Sequence, residues 1–178
     1  MMKKILIAAL LCGLYSSAAS AGEAKVIWGK LDEFTDIHAG SEFKERFQER
    51  LTKEFEAVFS AFAKKLPDGY ELNIDVTDID LAGDARPGQW MYGQQIRVMR
   101  EIYWPRMNFS YTLKNAKQEI IISGKEELRD MDYLHRFRIP SGNTTFEFEE
   151  KMLQDWFKKQ VLAGHFPSRE VKAVVTSQ

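Results

Sequence analysis

The side chains able to do chemistry in this chain are three histidines, a group of aspartates and a run of arginines among aromatics. His38, His135 and His165 are scattered, and none stands in a His-Glu-x-x-His spacing that would put two imidazoles on one helix face for zinc. Asp36-Ile37-His38 sets a carboxylate close enough to orient an imidazole, but no serine sits in a Gly-x-Ser-x-Gly elbow, and Ser141 lies among turn residues. Catalytic triads assemble in space rather than along the chain. A small hydrolase built from the acids and His38 or His135 is therefore the second of two functional readings. Asp75, Asp78, Asp80 and Asp84 gather around Gly83, and a hard cation such as calcium wants several carboxylates converging on one point. Counted from Asp78, the fifth position of an EF-hand loop is Ala82 and the twelfth is Gln89, so the pattern fails. These acids read as strand-end and turn residues facing solvent, with no metal and no cofactor.

The span from Arg86 to Arg106 is the densest in recognition chemistry, with Arg86, Arg97, Arg100 and Arg106 alongside Trp90, Tyr92, Tyr103 and Trp104. Guanidinium groups next to aromatic faces grip anionic or sugar-like ligands by bidentate hydrogen bonds and stacking. The same residue types dominate protein contacts. Arg86, Trp90, Tyr103, Trp104 and Arg106 form the candidate binding patch, set against the plainer reading of core aromatics with solvated arginines. Strand alternation would turn Arg100 inward with Ile96, Val98 and Ile102, and a buried arginine needs an acid. Asp78 is the nearest candidate, so Asp78 and Arg100 are expected as a structural ion pair.

Two helices and several strands must position these groups. Phe43, Phe47, Leu51, Phe55, Val58, Phe59, Phe62 and Leu66 recur at spacings of three and four, one face of a helix. Ser41 is its expected N-cap, Glu42–Arg46 and Glu49–Lys53 its outer ion pairs, and Pro67-Asp68-Gly69 its stop. A second helix is expected to open on a Thr144/Glu147 capping box, with a stripe of Phe148, Met152, Trp156, Phe157 and Val161 ending at Gly164. Lys25–Gly29 reads as a first strand. Leu72, Ile74 and Val76 alternate with polar residues, then the parity changes at Ile79 and Leu81. Either a β-bulge sits near Thr77-Asp78, or Asp78 turns toward the core. Ile96–Tyr103 is a further strand candidate. Met107 to Leu113 and Glu119 to Gly124 read as a hairpin. The order is that of one α+β domain, two amphipathic helices on one face of a mostly antiparallel sheet, over residues 22–163, with 164–178 as a mobile C-terminal tail.

The amino terminus carries an address. Lys3 and Lys4 precede an apolar run from Ile5 to Tyr15, then small residues ending Ala19-Ser20-Ala21, the three-part pattern of a signal peptide over residues 1–21. The run of roughly 11 residues is well short of the ~20 that span a bilayer, so no retained membrane anchor is expected. Leu11 before Cys12 argues against a lipid-modified cysteine, because that processing needs a small residue there. Cleavage by signal peptidase after Ala21 removes the only cysteine, leaving a domain without disulfides. It also removes Lys3 and Lys4, so the 25 basic residues fall to 23 against 26 acids, a net charge of −3. That field does not favour nucleic acid. Asn108-Phe-Ser110 and Asn143-Thr-Thr145 match glycosylation acceptors, but the lysine-led amino terminus has a bacterial character.

Val76-Thr-Asp-Ile-Asp-Leu-Ala-Gly83, Ile96-Arg-Val98, Ile102-Tyr-Trp-Pro-Arg106, Phe109-Ser-Tyr111, Leu128-Arg-Asp-Met-Asp-Tyr-Leu134 and Met152-Leu-Gln-Asp-Trp-Phe157 occur in that order. Together they resemble the bacterial family catalogued as domain of unknown function number 3016, over roughly Val26 to Phe157. The resemblance implies a small exported single-domain protein with no assigned reaction, and it draws attention to Asp78, Asp80, Arg97, Tyr103, Trp104 and Arg106. The leading reading is therefore a periplasmic or secreted protein that binds an envelope protein or a small anionic or sugar-like ligand and catalyses nothing.

Overall fold

In the computed structural model, the structure describes residues 21–38, 40–85, 90–91, 94–135 and 145–169; of 90, 91, 94 and 95 it describes the backbone only. Residues 1–20 of the expected signal peptide, Arg86, Ser141, the Thr144 cap and Asn143 lie outside the described residues. The elements run β1 (Glu23–Trp28), a 3-10 turn (Leu31–Glu33), α1 (Lys44–Ala63), β2 (Glu71–Asp80), β3 (Trp90–Met91), β4 (Gln94–Gln95), β5 (Arg106–Lys114), β6 (Ile120–Arg129) and α2 (Glu147–Leu162).

Four strands form a mixed sheet in the order β1-β2-β5-β6, parallel between β1 and β2 and antiparallel elsewhere. Two helices pack on this mostly antiparallel sheet, the α+β arrangement that the alternating and amphipathic patterns imply. One face is buried: Leu72, Ile74, Val76 and Ile79 of β2 lie beside Met107, Phe109 and Leu113 of β5. The parity change in β2 is a β-bulge, since the register with β5 shifts between Val76 and Asp78. One extra residue returns Ile79 to the buried face and leaves Asp78 off it.

α1 buries Phe47, Leu51, Phe55, Phe59 and Phe62, and α2 buries Met152, Leu153, Trp156 and Phe157. Their stripes meet through stacked pairs, Phe62 on Phe157 at 4.7 Å and Phe55 on Phe146 at 5.3 Å. Trp28 ties β1 to α1 by donating its indole N–H to Glu56 at 3.0 Å. Gly124 of β6 faces Tyr111 of β5, and a Cβ there would come within 2.9 Å of the Tyr111 ring. Only glycine lets the phenol ring lie flat on that strand.

Several local expectations are corrected. Phe43 does not join the stripe of α1; it is the flanking N-cap residue, without a side-chain cap, and is exposed. Glu42 then lies ahead of the helix, where the i,i+4 spacing does not apply. It pairs with Arg50 at 2.8 Å rather than with Arg46. Arg50 also donates to Thr145 Oγ1 at 2.9 Å and lies 5.1 Å and 5.3 Å from the Phe47 and Phe146 rings, fastening α1 to the start of α2. α2 has Phe146 as its N-cap residue, again without a side-chain cap. Residues 96–103 are not a strand: Val98 makes one isolated bridge with Asp84, and a turn closes from Tyr103 N–H to Arg100 C=O at 2.9 Å. The hairpin is longer than expected, with β6 running on to Arg129. Of the expected tail, residues 164–169 pack on the domain, with Phe166 buried against Trp156, Phe157 and Tyr111 and Arg169 N–H bonding Lys65 C=O at 3.1 Å, while 170–178 lie outside the described residues.

Candidate functional site

Beyond the carboxyl end of β1, the chain turns back along the end of β2. Asp36 N–H bonds Ile79 C=O at 3.1 Å, and Leu81 N–H bonds Asp36 C=O at 3.0 Å. This small parallel bridge brings the loop carrying Asp36 and His38 beside the loop from Leu81 to Ala85. Gly83 takes a positive φ of 82°, and a Cβ there would come within 2.7 Å of Met99 Sδ. Its lack of a side chain lets Arg97 and Met99 close over the loop. The first turn of α2 lines the other side.

The result is a cavity of about 370 Å³. Among the described residues, its apolar wall includes Phe47, Leu81, Ala85, Met99, Phe146 and Phe148, and its polar groups are His38, Arg97, Thr145, Glu147 and Glu149. Volume and lining are those of a small-molecule pocket.

Asp36 and Arg97 form a two-pronged pair, Nη1 to Oδ2 at 3.0 Å and Nη2 to Oδ1 at 3.2 Å. Both side chains keep under a fifth of their exposure. Arg97 Nη1 also donates to Gly83 C=O at 3.2 Å and to Leu81 and Ala82 C=O at 3.4 Å, while Nη2 donates to His38 C=O at 3.4 Å. One guanidinium thus ties together three carbonyls of one loop and the backbone of the other. Asp36 Oδ1 additionally accepts the His38 backbone N–H at 3.1 Å and sits 2.8 Å from His38 Nδ1. Burial pushes the Asp36 carboxyl up, but the Arg97 hydrogen bonds and charge, with His38, outweigh it and hold the group below its ordinary value.

Glu149 is the unusual residue. It lies on the inner face of α2, only 2% exposed, and its Oε1 accepts the Ala82 N–H at 2.6 Å. Burial raises its pKa above the ordinary carboxyl value. The backbone N–H groups of Ala82 and Glu149 itself and the Arg97 charge oppose that rise, and the Asp80 charge adds to it.

The expected Asp78–Arg100 pair is not formed. Both carboxylate oxygens of Asp78 are taken at 2.7 Å by Thr35, through its N–H and its hydroxyl. Arg100 is exposed at a turn, where its carbonyl accepts the Tyr133 hydroxyl at 2.8 Å. The four acids do not converge either. Asp75 is exposed on the open sheet face, Asp80 accepts Arg106 Nε at 2.8 Å, and Asp84 is buried where its backbone pairs with Val98. Among the described residues no cluster of His, Cys, Asp and Glu is arranged to hold a metal ion.

Of the expected patch, Tyr103 and Trp104 are half-buried and Arg106 is exposed beside Asp80, and none of the three lines the cavity. Trp90 is described only as backbone in β3. From the whole span 86–106, Arg97 and Met99 are the described residues that reach the cavity. His135 stands between Glu101 and Asp132, each at 3.3 Å, and His165 beside Gln160, so neither approaches His38 as a partner. The residue that reading the sequence missed is Glu149. Its signal was present: it precedes Leu153 by four residues and Met152 by three, which places a carboxylate on the buried stripe.

No curated protein and no solved structure matches the chain. The family profile described as "Protein of unknown function (DUF3016)" matches residues 22–159, so the chain belongs to that family.

Proposed function

We propose that the protein is an exported, non-catalytic binding domain whose ligand site is the cavity between the Asp36–His38 loop, the Leu81–Ala85 loop and the first turn of α2. The observation that carries this reading is a roomy apolar cavity with one buried carboxyl, Glu149, in its wall. Apolar walls with a few placed polar groups supply affinity and orientation respectively. Export is supported by the charged, apolar and small-residue order of residues 1–21.

The binding reading is tested by titrating the isotope-labelled exported chain with n-hexanol, n-hexylamine hydrochloride and sodium hexanoate, three heads on one apolar body. Amide shifts at Leu81–Ala85 and Thr145–Glu149 are expected. Shifts with none of the three, or shifts centred on Tyr103–Arg106, would overturn it. The export reading predicts that the chain recovered from a bacterial periplasm begins at Gly22 by mass spectrometry, and a chain retained with Met1 or Met2 would refute it.

A second reading rests on one contact, His38 Nδ1 at 2.8 Å from Asp36. A carboxylate that fixes Nδ1 leaves Nε2 to act as a base toward water, as in a small hydrolase. Hydrolysis of a chromogenic ester that His38→Ala abolishes would favour it over binding alone.

A further inference from the structure

We propose that the cavity takes a small organic cation, an alkyl- or arylammonium, with its head on the Glu149 carboxylate and its body against Phe47, Phe146 and Phe148. This rests on the cavity being a ligand site and specifies the charge it selects. Among the described residues, the basic groups of the lining are already engaged. Both terminal nitrogens of Arg97 are turned to Asp36 and to backbone carbonyls, so its fork has no pair of donors left for a carboxylate or phosphate. His38 Nδ1 shares the same Asp36.

Among the described residues, the other titratable groups of the lining are two acids, Glu147 and Glu149. Charge facing Glu149 from neighbouring elements comes from Arg97, offset by Asp36, and from Asp80, which repels a second negative charge. Arg50, close to the Phe47 and Phe146 rings, is offset by Glu42 and Glu54. The amino end of α2 has a partial positive charge, but Glu147, Glu149 and Glu150 all stand in that first turn and balance it. Among the described residues, an anion entering the cavity meets carboxylates and no free guanidinium fork. A cation meets the Glu149 carboxylate in a wall that also carries the Phe148 ring, the Phe47 and Phe146 rings being already faced by Arg50, and aromatic rings attract cations.

The test compares dissociation constants of hexylammonium, hexanol and hexanoate for the full exported chain by calorimetry at one pH and ionic strength. Hexylammonium is expected to bind at least about tenfold tighter than hexanol, with hexanoate weakest, and Glu149→Gln to remove the preference for the ammonium over hexanol. Hexanol or hexanoate binding as tightly as hexylammonium overturns the cation while leaving the cavity reading intact. Failure of all three overturns both. The ranking on the unsubstituted chain decides the matter even where Glu149→Gln does not fold.

Discussion

Phe166 lies beyond the family match, which ends at residue 159, yet its ring is only 1% exposed. It meets Trp156, Tyr111 and Phe157, each at a centroid distance of 5.6 Å, two edge-on and one tilted. If the segment after Gly164 is part of the folded unit, Phe166→Ala must be costly. Burying a phenylalanine is worth about 1.5–3 kcal/mol from transfer alone. The unfilled space left among three rigid rings raises the expected loss to about 3–5 kcal/mol. Against a total stability of about 5–15 kcal/mol for a domain, that is a large fraction. In urea, with a slope of about 2 kcal/mol per molar, the unfolding midpoint should fall by roughly 1.5–2.5 M at unchanged slope. Leu162→Ala serves as the control, since Leu162 is 76% exposed and its loss should change stability by no more than about 0.5 kcal/mol. A Phe166→Ala midpoint within about 0.3 M of the unsubstituted protein would refute the reasoning and return residues 164–169 to a loose tail. The Arg169–Asp68 ion pair cannot supply the difference, because both side chains are largely exposed and such pairs contribute little.

Gly124→Ala should cost about 1–3 kcal/mol in the same titration, because the added methyl meets the Tyr111 ring at 2.9 Å; a neutral outcome would mean the ring moves freely. Asp36→Asn should destabilise by about 1–3 kcal/mol at pH 7, less than a fully buried pair because some exposure remains. Asp36 is held below its ordinary value of 3.8, so the stability it contributes is present above that pH and lost as pH falls through the folded value. The cost of Asp36→Asn should therefore be smaller at pH 3 than at pH 7, and an equal cost at both would refute the ionic role. Glu149 behaves oppositely. Its pKa is raised above 4.5, so its contribution is fully present below that pH and is lost as pH rises through the folded value. Stability of Glu149→Gln relative to the unsubstituted protein should grow with pH above 4.5, and a difference that shrinks would contradict the burial cost.

The elements were largely legible because their signals are local. Phe47, Leu51, Phe55, Phe59 and Phe62 repeat at helical spacing, and Met107, Phe109, Tyr111 and Leu113 at strand spacing. Even the bulge near Asp78 showed as a change of parity. The caps were less legible, since Glu54 of α1, rather than a residue next to α2, accepts the Thr145 N–H at 2.9 Å. The Asp78–Arg100 expectation failed because it assumed that strand alternation continued through residues 96–103, where the chain instead bridges once and turns.

By itself, the sequence determined the α+β class, the two aromatic helix stripes and the family, all of which depend on neighbours a few residues apart or on motifs in order. Only the tertiary structure decided which acid holds which arginine and where a ligand site lies. Asp36 and Arg97 are 61 residues apart, and Ala82 and Glu149 are 67 apart. A hydrogen bond needs two groups within about 3 Å, and no periodicity in a chain encodes that closeness. The arginine-rich span therefore stood out by composition, while the cavity formed where two loops and the first turn of a helix meet.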